Sequence, residues 1–404
     1  MKPETFDIIR QTLPILELHG EKIADCFYKN MFRNNPEVKT FFNPAHQHEG
    51  TQQRALAGAL CAYAQHADNP EKLKHAIELI AHKHVALGIK PEHYPIVGNN
   101  LLLTLREVLG EAASDDIIDA WADAYGLLAG LFIDREDDLY NQQTQQHGWQ
   151  GFKTFNLIRR HQESSNITSF YLSPMDKKPL QAYLPGQYIT LKVQLADGSQ
   201  VMRNYSLSAA PREDYFRISV KKEKNQLPEH ADGVVSNRLH DNFHEGDQLL
   251  VTPPSGVFTL KLPSDNHRRV VFIAGGVGIT PLLSMLHHGL AHSPYRPFTL
   301  IQLARNNDVL PFHEELSVLA HTYENFDWHV RLSQPASIVN SDKLHQSLGH
   351  IDKALLEQLL PDPQADYYLC GPKAMMKTTR LLLQQRGVED SAIFAEFFGP
   401  AESL

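Results

Sequence analysis

Arg203-Asn204-Tyr205-Ser206-Leu207 brings a guanidinium, a phenol ring and a hydroxyl together on one short run. Such a set can pair with a phosphate, stack on a flat ring system and hydrogen-bond a ring heteroatom. Further on, Gly275-Gly276-Val277-Gly278-Ile279-Thr280-Pro281 follows directly on the apolar run Val270 to Ala274. Glycines at a strand end let backbone amides approach a phosphate, and Pro281 suits the first turn of a helix. A third set is dispersed: His84, Tyr28, Gln52, Tyr94 and Glu136 each interrupt an otherwise apolar stripe. Taken singly, each has an ordinary reading. His84 fits a core histidine bonded to a backbone carbonyl, Tyr28 and Tyr94 fit core tyrosines, Gln52 fits a helix start, and Glu136 fits an exposed acid in Arg135-Glu136-Asp137-Asp138. Arg203 with Tyr205 fits a surface cross-strand pair, and Ser206 a strand end.

The elements that carry these residues change along the chain. Residues 4 to about 140 show the helical apolar period and few strand signals. Leu73, Ile77, Ile80, His84 and Leu87 share one helix face, so His84 projects with the aliphatic side chains while His82 points elsewhere. Gln52, Leu56, Leu60 and Tyr63 form a second stripe; Tyr28 lies among Ile23, Phe27 and Met31. Tyr94 aligns with Val97, Leu101 and Val108, and Trp121, Tyr125, Leu128 and Phe132 lead to Glu136. Between two of these helices Phe41-Phe42-Asn43-Pro44 makes an aromatic corner. The pattern then turns to alternation, with Gln142 to Gln146 read as a linker and the boundary set near His147-Gly148-Trp149. Ile189, Leu191 and Val193 alternate with Thr190, Lys192 and Gln194, Ala196-Asp197-Gly198-Ser199 supplies a turn, and Phe216, Ile218 and Val220 alternate with Arg217, Ser219 and Lys221. Short strands joined by turns predict an antiparallel barrel. From Arg268, apolar runs at Val270 to Ala274, Phe298 to Leu303, Trp328 to Leu332 and Tyr367 to Cys370 alternate with helical patterns. That layout predicts a parallel sheet covered on both faces. The expected fold is therefore multidomain, α with α/β: an all-α domain over 1–147, an antiparallel β-barrel over 148–263 and a parallel-sheet α/β domain over 264–404.

The helical third resembles the globin domain of the flavohemoglobins, in Phe27-Tyr28-Lys29-Asn30-Met31-Phe32, in Gln52-Gln53-Arg54-Ala55-Leu56, and in Lys83-His84 followed by Ile89-Lys90-Pro91-Glu92-His93-Tyr94. The resemblance implies haem b held by His84, with Phe42 packed on the porphyrin and Tyr28, Gln52 and Leu56 on the distal side. Glu136 would then sit on the second nitrogen of His84, making it a stronger donor, with Tyr94 placing the pair. Pro185-Gly186-Gln187-Tyr188, Arg203-Asn204-Tyr205-Ser206 and Gly233-Val234-Val235-Ser236-Asn237 resemble the flavin signature of the ferredoxin reductase superfamily. This implies FAD on Tyr188, Arg203, Asn204, Tyr205, Ser206, Gly233, Val235 and Ser236. A bare R-x-Y-S arises often by chance; three elements in the family's order are far more specific. Gln226-Leu227-Pro228-Glu229-His230 reads as an extended loop that departs from the shortest members. The glycine loop matches the family's G-x-G-x-x-P form, which implies NAD(P)H on Gly276, Gly278, Thr280 and Pro281, with Cys370-Gly371-Pro372 flanking the nicotinamide. Glu396-Phe397-Phe398-Gly399-Pro400 resembles the terminal segment, in which Glu396 lies near the flavin and Phe398 shields its ring. Cys370 fits a buried filler equally, and Phe398 a core aromatic. Arg305 stands where an acid often follows the second strand. It suits either a ribose 2'-phosphate or an ion pair with Asp308 or Glu314, so NADPH stays open beside NADH.

Composition narrows the partners. A net charge of -9 at pH 7 with no basic run argues against nucleic acid and against an anionic membrane. Cys26, Cys61 and Cys370 lie far apart without C-x-x-C spacing, which argues against a disulfide framework and a structural zinc site. The 22 histidines are scattered. No run of ~18 apolar residues occurs and no signal-peptide pattern opens the sequence, so the expected location is the cytoplasm, without a stable membrane anchor. A monomer is expected. The resemblance spans essentially the whole chain and implies a nitric oxide dioxygenase that converts NO and O2 to nitrate with NAD(P)H. Two alternatives accompany it: an alkyl or lipid hydroperoxide reductase, with a lipid held in an apolar distal pocket, and a haem-based gas sensor or oxygen carrier with its own reductase. A ferredoxin-type reductase fused to an inert helical domain is the structural rival.

Overall fold

The computed structural model of the chain describes residues 3–42, 50–224, 232–263, 267–334 and 344–399. The expected loop at Gln226 to His230, and Asn43, Pro44 and Pro400, lie outside these. The chain divides into two compact units, one made chiefly of the residues up to Phe152 and the other of Lys153–Leu191 with Asn204–Phe398.

The first unit is helical: α1 (Pro3–Gln11), α2 (Leu13–Asn34), α3 (Thr51–His66), α4 (Pro70–Leu87), α5 (Tyr94–Leu109) and α6 (Asp115–His147). Phe27, Met31, Leu101, Leu105 and Trp121 join α2, α5 and α6 in one core, and Ala81, Val85, Phe132 and Leu139 join α4 to α6 in another. Ser114 caps α6, its side chain accepting from the Ile117 amide at 3.4 Å, and Asp115 and Asp116 complement the helix dipole. The helix continues to His147, so Gln142 to Gln146 is helical and not the expected linker. Polar composition alone does not stop a helix, since glutamine forms one readily; Gly148 stops it. Similarly, Gly88 at φ 79° closes α4, its amide donating to the carbonyls of His84 and Val85, which fixes His84 in the last turn.

After the helices, β1 (Lys153–Ser164), β2 (Ile167–Pro174), β3 (Tyr188–Gln194), β4 (Gln200–Ser206), β5 (Phe216–Lys221) and β6 (Gln248–Val251) form a six-stranded sheet in the order β4-β3-β6-β1-β2-β5, all of it in the second unit except Lys192–Arg203. An antiparallel bridge from Leu207 to Ile218 brings its two edges toward each other. Thr190, Arg217 and Ser219, the polar partners in the expected alternation, are all buried. Both sheet faces are covered here, and the polar groups are paired instead of solvated: Thr190 Oγ1 donates to Asn204 Oδ1 at 2.8 Å, and Ser219 shares hydrogen bonds with Ser169 and Ser208.

The remaining strands are β7 (Arg269–Gly275), β8 (Phe298–Ala304), β9 (Phe326–Leu332), β10 (Leu344–Leu348), β11 (Ala365–Cys370) and β12 (Ile393–Glu396). They make a parallel sheet in the order β10-β9-β8-β7-β11-β12. Alternate residues feed two cores, Val270, Phe272 and Leu300 on one face and Val271, Ile273 and Ile301 on the other. This explains the unbroken apolar runs. Helices α7 (Val234–Asn242), α8 (Ile279–His292), α9 (His313–Thr322), α10 (Lys353–Leu359) and α11 (Lys373–Gln385) complete the unit.

Candidate functional site

Three helices meet at His84. From the last turn of α4 its Nδ1 lies 2.7 Å from Glu136 Oε1 of α6 and 3.1 Å from the hydroxyl of Tyr94, the first residue of α5. The Tyr94 hydroxyl donates to the same Glu136 oxygen at 2.5 Å. Glu136 is only 2 % exposed, so the solvated reading of that acid is ruled out. Burial, then the Glu136 carboxylate, raises the Tyr94 hydroxyl far above its usual range, which keeps it a donor. Nδ1 is thus committed to the carboxylate, while Nε2 makes no hydrogen bond among the described residues. Phe132 packs on the imidazole at 5.6 Å between ring centroids. Glu136→Leu would leave His84 Nδ1 and the Tyr94 hydroxyl without their acceptor. We expect it to cost about 3 kcal/mol, read as a lower urea midpoint.

Tyr28, Phe32 and Phe42 form a second group in this unit, with Tyr28 5.7 Å from Phe42 and 5.8 Å from Phe32. Leu56 packs against the same core and Gln52 is half-buried on α3. Tyr28 is 8 % exposed and burial raises its hydroxyl well above the usual range, yet that hydroxyl bonds no other described residue. A buried phenol and an imidazole nitrogen, both without a partner among the described residues, form a donor set suited to a haem and a gaseous ligand. Phe32, which turns its ring on both Tyr28 and Phe42, escaped the sequence reading because any aromatic on α2 reads as core.

In the second unit, Tyr188 opens β3 and exchanges backbone hydrogen bonds with Ser255 at 2.9 Å each way. Its hydroxyl is buried beside Glu396 and Ser255 but makes no well-formed hydrogen bond, an orphaned polar atom that suits a bound ring system. Arg203, Asn204, Tyr205 and Ser206 run along β4, with Ser206 buried at its end. Gly233 is the cap of α7, placing the amides of Val234, Val235 and Ser236 in an open first turn, and Ser236 Oγ donates to the Gly233 carbonyl at 3.0 Å. These groups fit an FAD.

The glycine loop leaves β7 as a tight turn over Gly276–Gly278 and enters α8. A Cβ on Gly278 would lie 2.4 Å from the Cys370 carbonyl oxygen, so only glycine allows the loop to seat on the end of β11. Beside Gly276 a Cβ would meet nothing within 4 Å, leaving its backbone approachable. Thr280 Oγ1 donates to the Val277 carbonyl at 3.0 Å, and Pro281 is buried in the first turn of α8. Cys370 is fully buried opposite Glu396 on β12; burial first, then Glu396, raises its thiol well above the usual value. Gly371 and Pro372 follow and lead into α11. Phe398 is 44 % exposed and is no core aromatic. The Arg305 side chain is exposed.

A helical unit presenting an imidazole backed by a carboxylate, joined to flavin- and nicotinamide-type sites, defines a haem globin carried with an oxidoreductase. Three family models match in that order: globin over residues 25–131, oxidoreductase FAD-binding domain over 154–260 and oxidoreductase NAD-binding domain over 272–381. A flavohemoprotein of Rhodopirellula baltica is 43 % identical over 405 residues, covering 100 % of this chain and 99 % of its own. One from Bacillus subtilis is 40 % identical, covering 99 % and 98 %. The crystal structure of a flavohemoglobin from Malassezia yamatoensis with bound FAD and heme superposes with a TM-score of 0.85 at 28 % identity, covering 98 % of this chain and 99 % of that one. The FAD/NAD-binding domain of a nitric oxide dioxygenase from Vibrio cholerae is 32 % identical, with a TM-score of 0.55 over 62 % of this chain and 100 % of its own. The chain belongs to the flavohemoprotein family. Its cofactors are haem, FAD and a nicotinamide nucleotide, and its chemistry is that of an oxidoreductase. No helix among the described residues is long and apolar enough to cross a membrane.

Proposed function

We propose that the chain is a nitric oxide dioxygenase, forming nitrate from NO and O2 at the expense of NAD(P)H, and so detoxifies nitric oxide in the cytoplasm as a monomer. The observation that carries this reading is the buried contact of Glu136 Oε1 with both His84 Nδ1 and the Tyr94 hydroxyl. When bound, haem supplies an iron that takes single electrons, and FAD takes hydride from the nicotinamide and releases its electrons one at a time. His84 would hold the haem through Nε2, the nitrogen that Glu136 and Tyr94 leave available. Glu136 holds the proton of Nδ1 in place, enriching the imidazole as a donor, which favours oxygen activation over simple carriage. Tyr94 fixes the carboxylate. On the distal side Phe42 and Leu56 give apolar walls, while Tyr28 with Gln52 directs hydrogen-bond donors toward the oxygen site.

Tyr188 and Tyr205 would hold the flavin ring, Arg203 would pair with its pyrophosphate, and Ser206 with Asn204 would offer it hydrogen bonds. Gly233, Val235 and Ser236 receive phosphate at the start of α7. Gly276, Gly278, Thr280 and Pro281 would cradle the nicotinamide nucleotide, and Cys370, Gly371, Pro372, Glu396 and Phe398 would border the nicotinamide and flavin. The experiment is NO consumption under air with nitrate measured, in wild type and Tyr28→Phe. Removing one hydrogen-bond donor at developing negative charge is expected to lower nitrate formation about a hundred-fold, with flavin reduction by the nicotinamide unaltered. Equal nitrate formation in both proteins would refute the role of Tyr28.

A further inference from the structure

Arg217 alternates with the apolar Phe216 and Ile218 along β5, yet its side chain is 7 % exposed and forms an ion pair with Glu315 within the second unit. Its Nε donates to Ser208 Oγ at 3.1 Å and its Nη2 donates to the Ser208 carbonyl. Ser208 stands two residues beyond Ser206, at the end of the flavin-type stretch. The guanidinium also grips Glu315 bidentately, Nη1 to Oε2 at 2.8 Å and Nη2 to Oε1 at 3.1 Å. Glu315 lies in the first turn of α9 and receives His287 Nε2 of α8 at 2.5 Å. That helix begins at the glycine loop, and β5, which carries Arg217, packs beside the Gly276–Gly278 turn.

Other features show that the contact is built in. Phe312, the cap of α9, takes the left-handed backbone at φ 63°, a conformation tolerated only where the surroundings enforce it. Its ring lies under the Arg217 guanidinium at 5.4 Å, and the turn delivers Glu315 to Arg217. Burial works against the Glu315 charge, but His287 and Arg217 outweigh it and hold the carboxyl down at about 2, so the pair is ionised throughout the physiological range. Behind Arg217 a hydroxyl chain continues through Ser208, Ser219 and Ser169 to Glu163, across β5, β2 and β1. An ion pair desolvated this far adds little net stability over an apolar replacement, so geometry is its distinguishing contribution.

We propose that Arg217, Glu315 and His287 are positioning residues for hydride transfer, fixing the end of the flavin-binding strand against the helix behind the phosphate loop. The step itself moves one hydride, with its electron pair, from reduced nicotinamide to oxidised flavin; the three residues would act on it through Ser208 and the helix behind the phosphate loop. Their effect is on the register between two binding surfaces, where a small misplacement costs rate and not affinity. The inference concerns the reductase half and is independent of what the haem does with its electrons.

The test uses the full FAD-loaded chain and the isosteric Glu315→Gln variant, with two readouts. Hydrogen exchange on the oxidised protein without nucleotide should show the amides of Ser208 and residues 284–288 exchanging about ten-fold faster than wild type. Anaerobic rapid mixing with NADH should show a limiting rate of flavin reduction about ten-fold lower, at an unchanged half-saturating NADH concentration. Arg217→Lys, which keeps the charge but loses the fork, should shift both readouts the same way and serves if Glu315→Gln does not fold. An unchanged limiting rate overturns the proposal. A slower rate with unaltered amide protection overturns it too, because the ion pair would then not act through position.

Discussion

His84→Ala is expected to yield a chain that contains no haem and still reduces its flavin with NADH. The Nδ1 side of His84 is already engaged by Glu136 at 2.7 Å and Tyr94 at 3.1 Å, so only Nε2 is left for iron. Alanine removes that bond outright. Apart from Arg203, the residues of the flavin and nicotinamide sites belong to the other compact unit, with its own cores, and should be untouched. The purified variant should therefore show flavin bands without a Soret band, and full bleaching of those bands by NADH. A Soret band of wild-type intensity would name another ligand.

The second large effect is expected at the flavin strand. Tyr205→Ala takes away one face of a stacking ring; if about 100 Å2 of contact is lost at ~25 cal/mol per Å2, FAD affinity falls by about 2.5 kcal/mol, roughly seventy-fold. NADH-driven reduction of the haem should collapse, while haem reduced by dithionite should still take up oxygen at the wild-type rate. Ser206→Ala should show the same separation with smaller loss of FAD, since the hydroxyl offers one hydrogen bond and little area. If chemically reduced haem in Tyr205→Ala failed to bind oxygen, the strand would be acting on the globin unit, against this account.

The sequence disclosed more of the fold than of the contacts. Helical periodicity located the stripes of His84, Tyr94 and Glu136, but their meeting depends on the packing of α4, α5 and α6, and no local pattern distinguishes a buried Glu136 from its solvated neighbours Asp137 and Asp138. The resemblance to the flavohemoglobins, not the periodicity, joined them. Strands β7, β8, β9 and β11 were legible as apolar runs. β10 at Leu344–Leu348 and β12 at Ile393–Glu396 were missed, being short edge strands with mixed residues. The polar stretch after Asn141 was misread because composition suggests linkers while glutamine continues a helix equally well.

Arg217 is the most instructive case. Alternation with Phe216 and Ile218 assigns it to the opposite face, and the ordinary assumption is that the opposite face is water. In this sheet that face is covered by Glu315 and Phe312, which lie about a hundred residues further on. Nothing within β5 signals it. The same limit applies to Tyr188, whose orphaned hydroxyl becomes meaningful only once Ser255 and Glu396 are seen beside it.

The central claim is that this chain spends nicotinamide electrons on turning nitric oxide into nitrate. It is tested most directly by measuring NO, NADH and nitrate together in air-saturated solution with the haem- and FAD-loaded protein. Each nitrate formed from NO and O2 requires one electron and each NADH supplies two, so two nitrates should appear for every NADH oxidised, with NO consumed in equal number to nitrate. NADH oxidation that proceeds at the same rate with or without NO, yielding no nitrate, would contradict the account.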